Sequence, residues 1–400
     1  MIADPFYWLN VHIHGLHQVS YAERSDARDV AVPCVIGTVF FRHGSTPAVR
    51  SAIRECVDDY LELFGEHIVG GMSVDGAYCG KSAKGIDNIR AAITSTPGTQ
   101  RLRMELSSVP DAETAREYHL AVETAENVYE AKFGLVSCLK FSIPARLFLR
   151  IQNHRIYQGL LLRICSRLDI CGGYGGLSVM LPYHYRRYQS QEYRLARTYT
   201  GLEADVDPFS IRRLCAPLHF KSVNWYTILG DNAIAELGGV DALHARADDR
   251  IIDLMRAGNG LLVRAGKYPS LGAPEEGLPA AYVSANRLLR RARLPSHPPL
   301  HSNSVPGLGF DQAATDRWIR RFDIETEVWH SGQRSPETGV WEALCANSQP
   351  RHLVAGEIFP NMHYLNHDRA LVIGPVDWQK ADTRFAASSS RLQSESDDTL

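Results

Sequence analysis

The strand and helix between residues 31 and 64 constrain the fold most strongly. The segment "AVPCVIGTVFF" (31–41) is rich in β-branched and aromatic residues, which predicts a buried strand. The helix that follows is predicted to begin with Thr46 as its N-cap and Pro47 in its first turn, and to end at Gly65. Its apolar residues recur every three or four positions, as one buried helix face requires. A sheet covered by at least one amphipathic helix is therefore expected.

Further strands and helices are interleaved along the chain. Alternating or continuous apolar runs predict strands at 101–108, 116–124, 134–144 and in "CGGYGGLSVMLP", and a Gly-Asn-Gly turn predicts a hairpin within 250–266. Helical periodicity marks 153–168, with Asn153 as a candidate N-cap, as well as 186–202 and 278–294. This mixture predicts an α+β (mixed α/β) fold, with an antiparallel or mixed sheet flanked by helices and a small C-terminal module.

Five parts follow from shifts in composition. Residues 1–30 have weak periodicity and are expected to form a loose extension. The main domain is predicted to span 31–294. A Pro-, Ser- and Gly-rich stretch at 295–314 reads as a linker, 315–378 as a Trp-containing module, and 379–400 as a disordered tail.

Charge and cysteine content exclude several classes of protein. The formal net charge of −2 gives no general attraction to nucleic acid or to an anionic membrane. The start lacks the pattern of a signal peptide, and no stretch reaches the ~20 apolar residues of a membrane span. Eight scattered cysteines without a C-x-x-C pair favour buried thiols in a reducing compartment. A cytoplasmic protein is expected, and the predominance of Arg over Lys suggests a GC-rich bacterial genome.

The strongest hint of enzyme chemistry is the stretch "VHIHGLH", which contains His12, His14 and His17. On a strand, H-x-H spacing places both imidazoles on one face, as in some metal-dependent hydrolases. The stretch lies in the poorly patterned extension, however, and lacks the Asp-His continuation of one such family. The three histidines are weak metal-ligand candidates, and no metal or other cofactor is predicted.

Other motifs lack the context that catalysis requires. "CGGYGGLSV" (171–179) runs from helix to strand, whereas phosphate-binding loops run from strand to helix, so close packing explains its glycines better. No G-x-S-x-G or H-E-x-x-H pattern occurs. The basic stretch "RLLRRAR" (287–293) is interpreted as a solvated helix end and not as a phosphate site. No catalytic residue is therefore predicted.

The stretch "KSVNWYTILGDNAIAELGG" (221–239) is predicted to pass from strand through a tight turn to a short helix. In an enzyme, such a turn would present a nucleophile or a metal ligand. Here Asp231 is predicted to cap the helix, and Gly238 and Gly239 to close it. The turn is interpreted as a scaffold.

Five blocks, in order and spacing, resemble a known family. They are "GTVFFRHGSTPAVRSAIRECVDDYLELFGEHI", "LVSCLKFSIP", "LLLRICSRLDICGGYGGLSVMLP", "VNWYTILGDNAIAELGG" and "LLVRAGKYPSLGAPEEGLPAAYVSANRLLRRARL". The family is that of type VI secretion immunity proteins, whose members accompany effectors of the VRR-Nuc nuclease class. The resemblance covers roughly residues 31–294.

This resemblance implies inhibition by binding, without catalysis or a cofactor. The implied partner is a cognate secreted effector toxin encoded nearby, a nuclease, with no direct binding to nucleic acid or membrane. A nuclease presents a basic DNA-binding groove, so an inhibitor is expected to offer carboxylates to it. Two surfaces are candidates for this contact: Glu203, Asp205 and Asp207 in one acidic loop, and Glu275 and Glu276 in another.

The C-terminal segments "SGQRSPETGVWEA" and "AGEIFPN" more weakly resemble a short Trp-containing module found at the end of effector-associated proteins. Ser335 stands where that module usually carries Cys, which argues against a metal or disulfide there. Two alternatives to an immunity protein remain open: a metal-dependent hydrolase using the histidines, and an adaptor of the secretion apparatus.

Overall fold

The computed structural model describes residues 21–23, 28–72, 78–80, 83–183, 185–205, 220–294, 297–301, 307–324, 327–345, 348–365 and 371–381. Within these ranges the α-helices are α1 Pro47–Phe64, α2 Ala83–Ser95, α3 Asn127–Phe133, α4 Ile151–Arg167, α5 Gln189–Thr198, α6 Asp231–Glu236, α7 Gly239–Arg246, α8 Ala280–Leu289 and α9 Gln312–Ile319. The strands are β1 Tyr21–Glu23, β2 Arg28–Phe41, β3 Gly70–Met72, β4 Tyr78–Gly80, β5 Arg103–Ser107, β6 His119–Glu123, β7 Ser137–Pro144, β8 Ile170–Met180, β9 Tyr226–Leu229, β10 Ile252–Ala257, β11 Gly260–Ala265, β12 Trp329–His330, β13 Gly339–Ala343, β14 Arg351–Leu353, β15 Met362–Leu365, β16 Leu371–Gly374 and β17 Asp377–Lys380.

Eleven of the described strands form one antiparallel sheet. Its order is β10-β11-β9-β8-β2-β7-β6-β5-β3-β4, with β1 paired to the start of β2. Strand β2 lies at the centre, between β7 and β8, and is the longest. The predicted α+β class with an antiparallel sheet is confirmed.

Alternate side chains of β2 enter two different cores, because successive residues of a strand point to opposite faces. Val35, Val39 and Phe41 belong to the core formed with α1 and α4. Cys34, Ile36 and Phe40 belong to a second core on the other face. That core also contains Tyr193 of α5 and Trp318 of α9. The sheet is therefore covered on both sides, which explains the almost continuously apolar sequence of β2.

Helix α1 forms as its sequence predicts. The Thr46 side chain accepts a hydrogen bond from the backbone N–H of Val49, Pro47 occupies the first turn, and Gly65 is the C-cap. The buried side of the helix includes Ile53 and Tyr60, and the Tyr60 hydroxyl donates to the Ser142 carbonyl at 3.0 Å. This bond ties the helix to strand β7.

One predicted N-cap was wrong, and helix α3 was missed. Asn153 is not an N-cap: α4 begins at Ile151, because a short 3₁₀ turn over Ala145–Leu149 leads into it, and the Asn153 amide donates to the Leu147 carbonyl at 2.6 Å. Helix α3, which has only seven residues and buries none of them, was not predicted from the sequence.

The glycine-rich stretch is strand β8, and its glycines allow close packing. A Cβ at position 175 would lie 2.1 Å from the Tyr157 hydroxyl, which donates to the Ile36 carbonyl at 2.6 Å. A Cβ at position 173 would lie 2.3 Å from the Thr38 carbonyl oxygen. The interpretation of these glycines as packing residues agrees with this geometry.

The described residues after position 327 form an aromatic module. It consists of a four-stranded sheet, β12-β17-β13-β14, and the hairpin β15–β16 around a core that contains Trp341, Phe359 and Trp378. In contrast, Leu300 and Phe310 of the predicted linker and Trp318 of the predicted C-terminal module lie in the second core of the main sheet. The exact domain boundaries remain a prediction.

Six described cysteines, at 34, 56, 138, 165, 171 and 345, are buried and are not joined in disulfides. Burial raises the pKa of the Cys34 and Cys56 thiols to about 12. Among the described helices, none is long and apolar enough to cross a lipid bilayer.

Candidate partner-binding surface

Two of the predicted partner-binding carboxylates are inside the protein. Glu203 is fully buried and Asp205 is 3% exposed, so the interpretation of this segment as an exposed acidic loop was wrong. The physical reason is pairing with two buried lysines that are distant in the sequence, Lys221 and Lys140. Asp207 lies outside the described residues.

Asp205 is held against the second face of the sheet. Its carboxylate accepts hydrogen bonds from the Thr38 hydroxyl, at 2.8 Å, and from the Tyr174 hydroxyl, and lies 3.2 Å from Lys140 Nζ. Its backbone N–H donates to Glu192 of α5 at 2.9 Å. The Asp205 carboxylate thus joins strands β2, β7 and β8, and its backbone N–H adds helix α5.

Glu203 forms the second half of this buried network. One carboxylate oxygen lies 2.5 Å from Lys221 Nζ, and the other accepts from the Asn224 amide at 2.7 Å. Burial raises the pKa of Glu203, and the charge of Lys221 opposes that rise. Because Glu203 and Asp205 are shielded from solvent, a partner cannot reach their carboxylates in this fold. The network stabilises the fold and is not a contact surface.

The other predicted residues differ in accessibility. Glu275 and Glu276 are exposed in the loop between β11 and α8, where the Glu276 carboxylate accepts a hydrogen bond from the Ala273 N–H at 3.4 Å. His12, His14 and His17 lie outside the described residues. Among the residues that the structure describes, no three His, Cys, Asp or Glu side chains are grouped as a metal ion would require.

The turn between β9 and α6 presents an ion-pair cluster on the surface. The Arg42 guanidinium donates to both oxygens of Asp169 at 3.0 Å and to Asp231 at 2.9 and 3.0 Å. Asn259 also donates to Asp169, at 2.9 Å. The N-cap of α6 is Gly230 and not Asp231, whose carboxylate is bound by Arg42 and by the N–H of Asn232. Arg42 thus links three segments at one end of the sheet: the end of β2, the start of β8 and the turn after β9.

Gly230 is required by close backbone packing. Its φ of −82° is accessible to any residue, but a Cβ there would lie 2.5 Å from the Cys171 carbonyl oxygen and 2.8 Å from that of Ile170. We expect Gly230→Ala to lower the free energy of unfolding by about 1–3 kcal/mol. Gly159→Ala is the matched control, because a Cβ there meets only the end of the Arg163 side chain at 3.7 Å. The free energy of unfolding of Gly159→Ala, measured by urea titration, should rise by about 0.5–1 kcal/mol. Equal effects in the two variants would contradict the packing argument.

The basic end of α8 is a joint and not a solvated helix end. Arg293 binds Asp323 at 2.6 and 3.1 Å, and Arg290 donates to Gln379 of the aromatic module at 2.5 Å. Arg291 lies 3.3 Å from Glu342 of the same module. The prediction of a solvated end was wrong, because carboxylates from later segments fold back onto these arginines.

Helix α3 lies at the same end of the sheet as the Arg42 cluster. In the register, Phe41 of β2 pairs with both Ser137, shortly after α3, and Ile170, directly after Asp169. The turn at 42–46 therefore has α3 on one side and the ion-pair cluster on the other. Sequence reasoning missed α3, although Tyr129 and Phe133 at i and i+4, followed by Gly134, form a weak signal for a short helix.

A model of the TsiV family, described as type VI immunity for VRR-NUC, matches residues 52–322. The chain belongs to this family. Among solved structures, it is similar to one described as Pseudomonas aeruginosa T6SS protein PA0821, with a TM-score of 0.68 and 25% sequence identity. The match covers 80% of this chain and 92% of the Pseudomonas chain. No curated protein matches the chain at a significant level.

The resemblance drawn from the sequence is thus confirmed. The region matched to the TsiV family begins within α1 and ends at Phe322, just after α9. It contains α3, the carboxylates Asp169 and Asp231, and the buried carboxylates Glu203 and Asp205, whereas Arg42 precedes it. The aromatic module follows the matched region. Membership in a type VI immunity family favours a protective role over a catalytic one.

Proposed function

We propose that this protein binds a cognate VRR-Nuc nuclease effector in the bacterial cytoplasm and neutralises it by covering its surface, without modifying it. The observation that carries the proposal is the TsiV match over residues 52–322. The near-neutral net charge of −2 also supports a protein partner over direct binding to nucleic acid.

Physical chemistry sets what such an inhibitor must do. A nuclease attracts DNA through basic groups and cuts it at a site that commonly holds metal ions. A protein that covers this groove must compete with a polyanion, so it needs a standard-sized interface of about 1,600 Å² in total and carboxylates placed opposite the basic groups. The exposed Glu275 and Glu276 are proposed to contribute such carboxylates.

The proposal predicts protection and a stoichiometric complex when the effector gene encoded beside this one is co-expressed with it. Cells that carry the effector alone should lose viability, and cells that carry both genes should survive and yield a co-purifying complex. An unrelated nuclease toxin is the control, and survival against it should not improve. Death of the co-expressing cells would overturn the proposed function.

A second measurement separates covering from chemical inactivation. Nuclease activity on DNA should disappear at one equivalent of this protein and return after the complex is denatured, separated and the nuclease refolded. Permanent loss of activity, or a changed mass of the nuclease, would show that this protein modifies its partner. The proposal of inhibition by binding would then be wrong.

A further inference from the structure

Helix α3 exposes apolar side chains that the fold does not use. Val128 is 61% exposed, Tyr129 46% and Phe133 54%, and the helix has no buried residue. A surface helix is normally stabilised by packing its apolar side against the core. Here the two aromatic rings instead stack on one another, with centroids 5.8 Å apart, in solvent. Core packing therefore does not account for the aromatic residues of α3.

The helix is nevertheless firmly attached to the main sheet. The Glu130 carboxylate accepts hydrogen bonds from the Ser45 hydroxyl and, at 3.4 Å, from the Ser137 hydroxyl. The N–H of Asn127 donates to the Gly98 carbonyl at 2.9 Å. At the other end, Gly134 adopts the left-handed conformation and bonds back to the helix. The aromatic pair is presented in a fixed position, which lowers the entropy that binding must overcome.

The surroundings of the aromatic pair carry excess negative charge. The α3 surface is defined here as segments 42–46, 126–134, 169 and 230–232. It contains four carboxylates, Glu126, Glu130, Asp169 and Asp231, and two exposed or half-exposed cations, Arg42 and Lys132. Arg42 is shared between Asp169 and Asp231, and the hydrogen bonds of the Glu130 carboxylate come from serines. Arg50 lies beneath, buried and bonded to the carbonyls of Gly44 and Gln100.

We propose that the α3 surface docks onto the basic, DNA-binding face of the cognate nuclease, with Tyr129 and Phe133 as its apolar anchors. This inference rests on the proposed function and names the surface that performs it. Aromatic anchors surrounded by polar groups dominate the energy of many protein interfaces. The carboxylates around them complement basic groups that otherwise contact phosphates. The aromatic rings supply contact area, and the carboxylates orient the encounter.

A second exposed apolar pair makes a matched control. Leu371 and Ile373 of β16 are 69% and 67% exposed and lie on a hairpin of the aromatic module. Both pairs are on the surface, so truncating either to alanine should leave the thermal unfolding midpoint nearly unchanged. They differ in location, which is the variable under test.

The experiment measures the affinity of the purified full chain for the purified cognate nuclease by calorimetry. The double variant Tyr129→Ala/Phe133→Ala should raise the dissociation constant by about 100-fold or more, because two anchors are lost. Leu371→Ala/Ile373→Ala should change it by less than about threefold. Asp231→Asn, which leaves Arg42 paired with Asp169, should lower the association rate several-fold at low salt and less at high salt.

The outcomes separate the two proposals. If the wild-type chain binds the nuclease and both double variants bind equally well, α3 is not the docking element, although the proposed function stands. Loss of binding in the β16 variant alone would move the docking surface to the aromatic module and overturn this inference. If the wild-type chain does not bind the nuclease, the proposed function fails and the docking proposal fails with it.

Discussion

Replacing Lys221 by methionine is expected to destabilise the protein by about 3–5 kcal/mol. Lys221 is buried, and its ammonium group lies 2.5 Å from Glu203 and 4.0 Å from the centre of the Tyr174 ring. It also donates to the Ala204 carbonyl at 2.8 Å. Methionine preserves the length of the side chain but leaves the Glu203 carboxylate buried without its cation. The free energy of unfolding, from urea titration at neutral pH, measures this cost.

The stability lost in Lys221→Met should increase as the pH rises. Burial already raises the pKa of Glu203 above its ordinary value, and removal of Lys221 removes the larger of the two charges that oppose the rise, the other being that of Arg321. The folded variant therefore holds the Glu203 proton more tightly than the unfolded chain does. The contribution of Glu203 to the stability of the variant is fully present below the ordinary carboxyl pKa. It is lost as the pH rises through the raised pKa of the folded state. Lys221→Met should thus be more destabilised at pH 8 than at pH 5.

Two controls identify the buried charge as the cause. Lys380→Met removes an exposed partner of Glu337 and should cost less than about 1 kcal/mol. The double variant Lys221→Met/Glu203→Gln removes both members of the pair and should recover part of the lost stability, because Glu203 is then no longer a buried carboxylate without Lys221, although Arg321 loses its attraction to Glu203. If Lys221→Met were no more costly than Lys380→Met, the buried pair would not carry the energy assigned to it.

This network also shows where sequence reasoning reached its limit. The run of acidic residues near 203–207 reads as a solvated loop, because carboxylates are rarely buried. Only the fold brings the two lysines to these carboxylates. Lys221 is 18 residues from Glu203 in the sequence (221 − 203), and Lys140 is 65 residues from Asp205 (205 − 140). Nothing local in "GLEADVDPF" indicates that pairing. The burial of a charge is decided by its partner, and the partner is a tertiary feature.

Elements whose signals are local were predicted correctly. Helix α1 carries its own N-cap, a Pro in its first turn and a terminal Gly, and β2 is apolar on both faces because both faces are covered. The hairpin of β10 and β11 follows from its Gly258-Asn259 turn, with Gly258 at a φ of +58°. The exposed aromatic residues of α3 could not be found in this way, because exposure is not visible in the sequence.

The second large effect is expected at the joint between the main sheet and the aromatic module. Arg293 is buried and donates two hydrogen bonds to Asp323 and a third to Asn286, at 3.2 Å. It also lies 3.9 Å from the Asp377 carboxylate of β17. Arg293→Met should lower the free energy of unfolding by about 3–5 kcal/mol, because the Asp323 side chain, only 9% exposed, would keep the Asn286 amide as a donor but lose its bound guanidinium. Hydrogen exchange of the β12, β13 and β17 amides should also rise, since the joint holds the module in place.

Two matched arginine variants test the geometry of this joint. Arg293→Lys keeps the charge but cannot donate two parallel hydrogen bonds, so its loss should fall between those of Arg293→Met and the wild type. Arg287→Met removes a half-exposed pair with Glu327 and should cost at most about 1 kcal/mol without loosening the module. Since Trp329, Trp341 and Trp378 lie in the module and Trp225 and Trp318 in the cores of the main sheet, unfolding of the module alone should change only part of the Trp fluorescence. An Arg293→Met variant that matched Arg287→Met in both stability and exchange would show that the module is held by other contacts. The remaining bonds from Arg290 to Gln379 and from Arg320 to Asp377, at 2.5 and 2.8 Å, would then be the ones to remove.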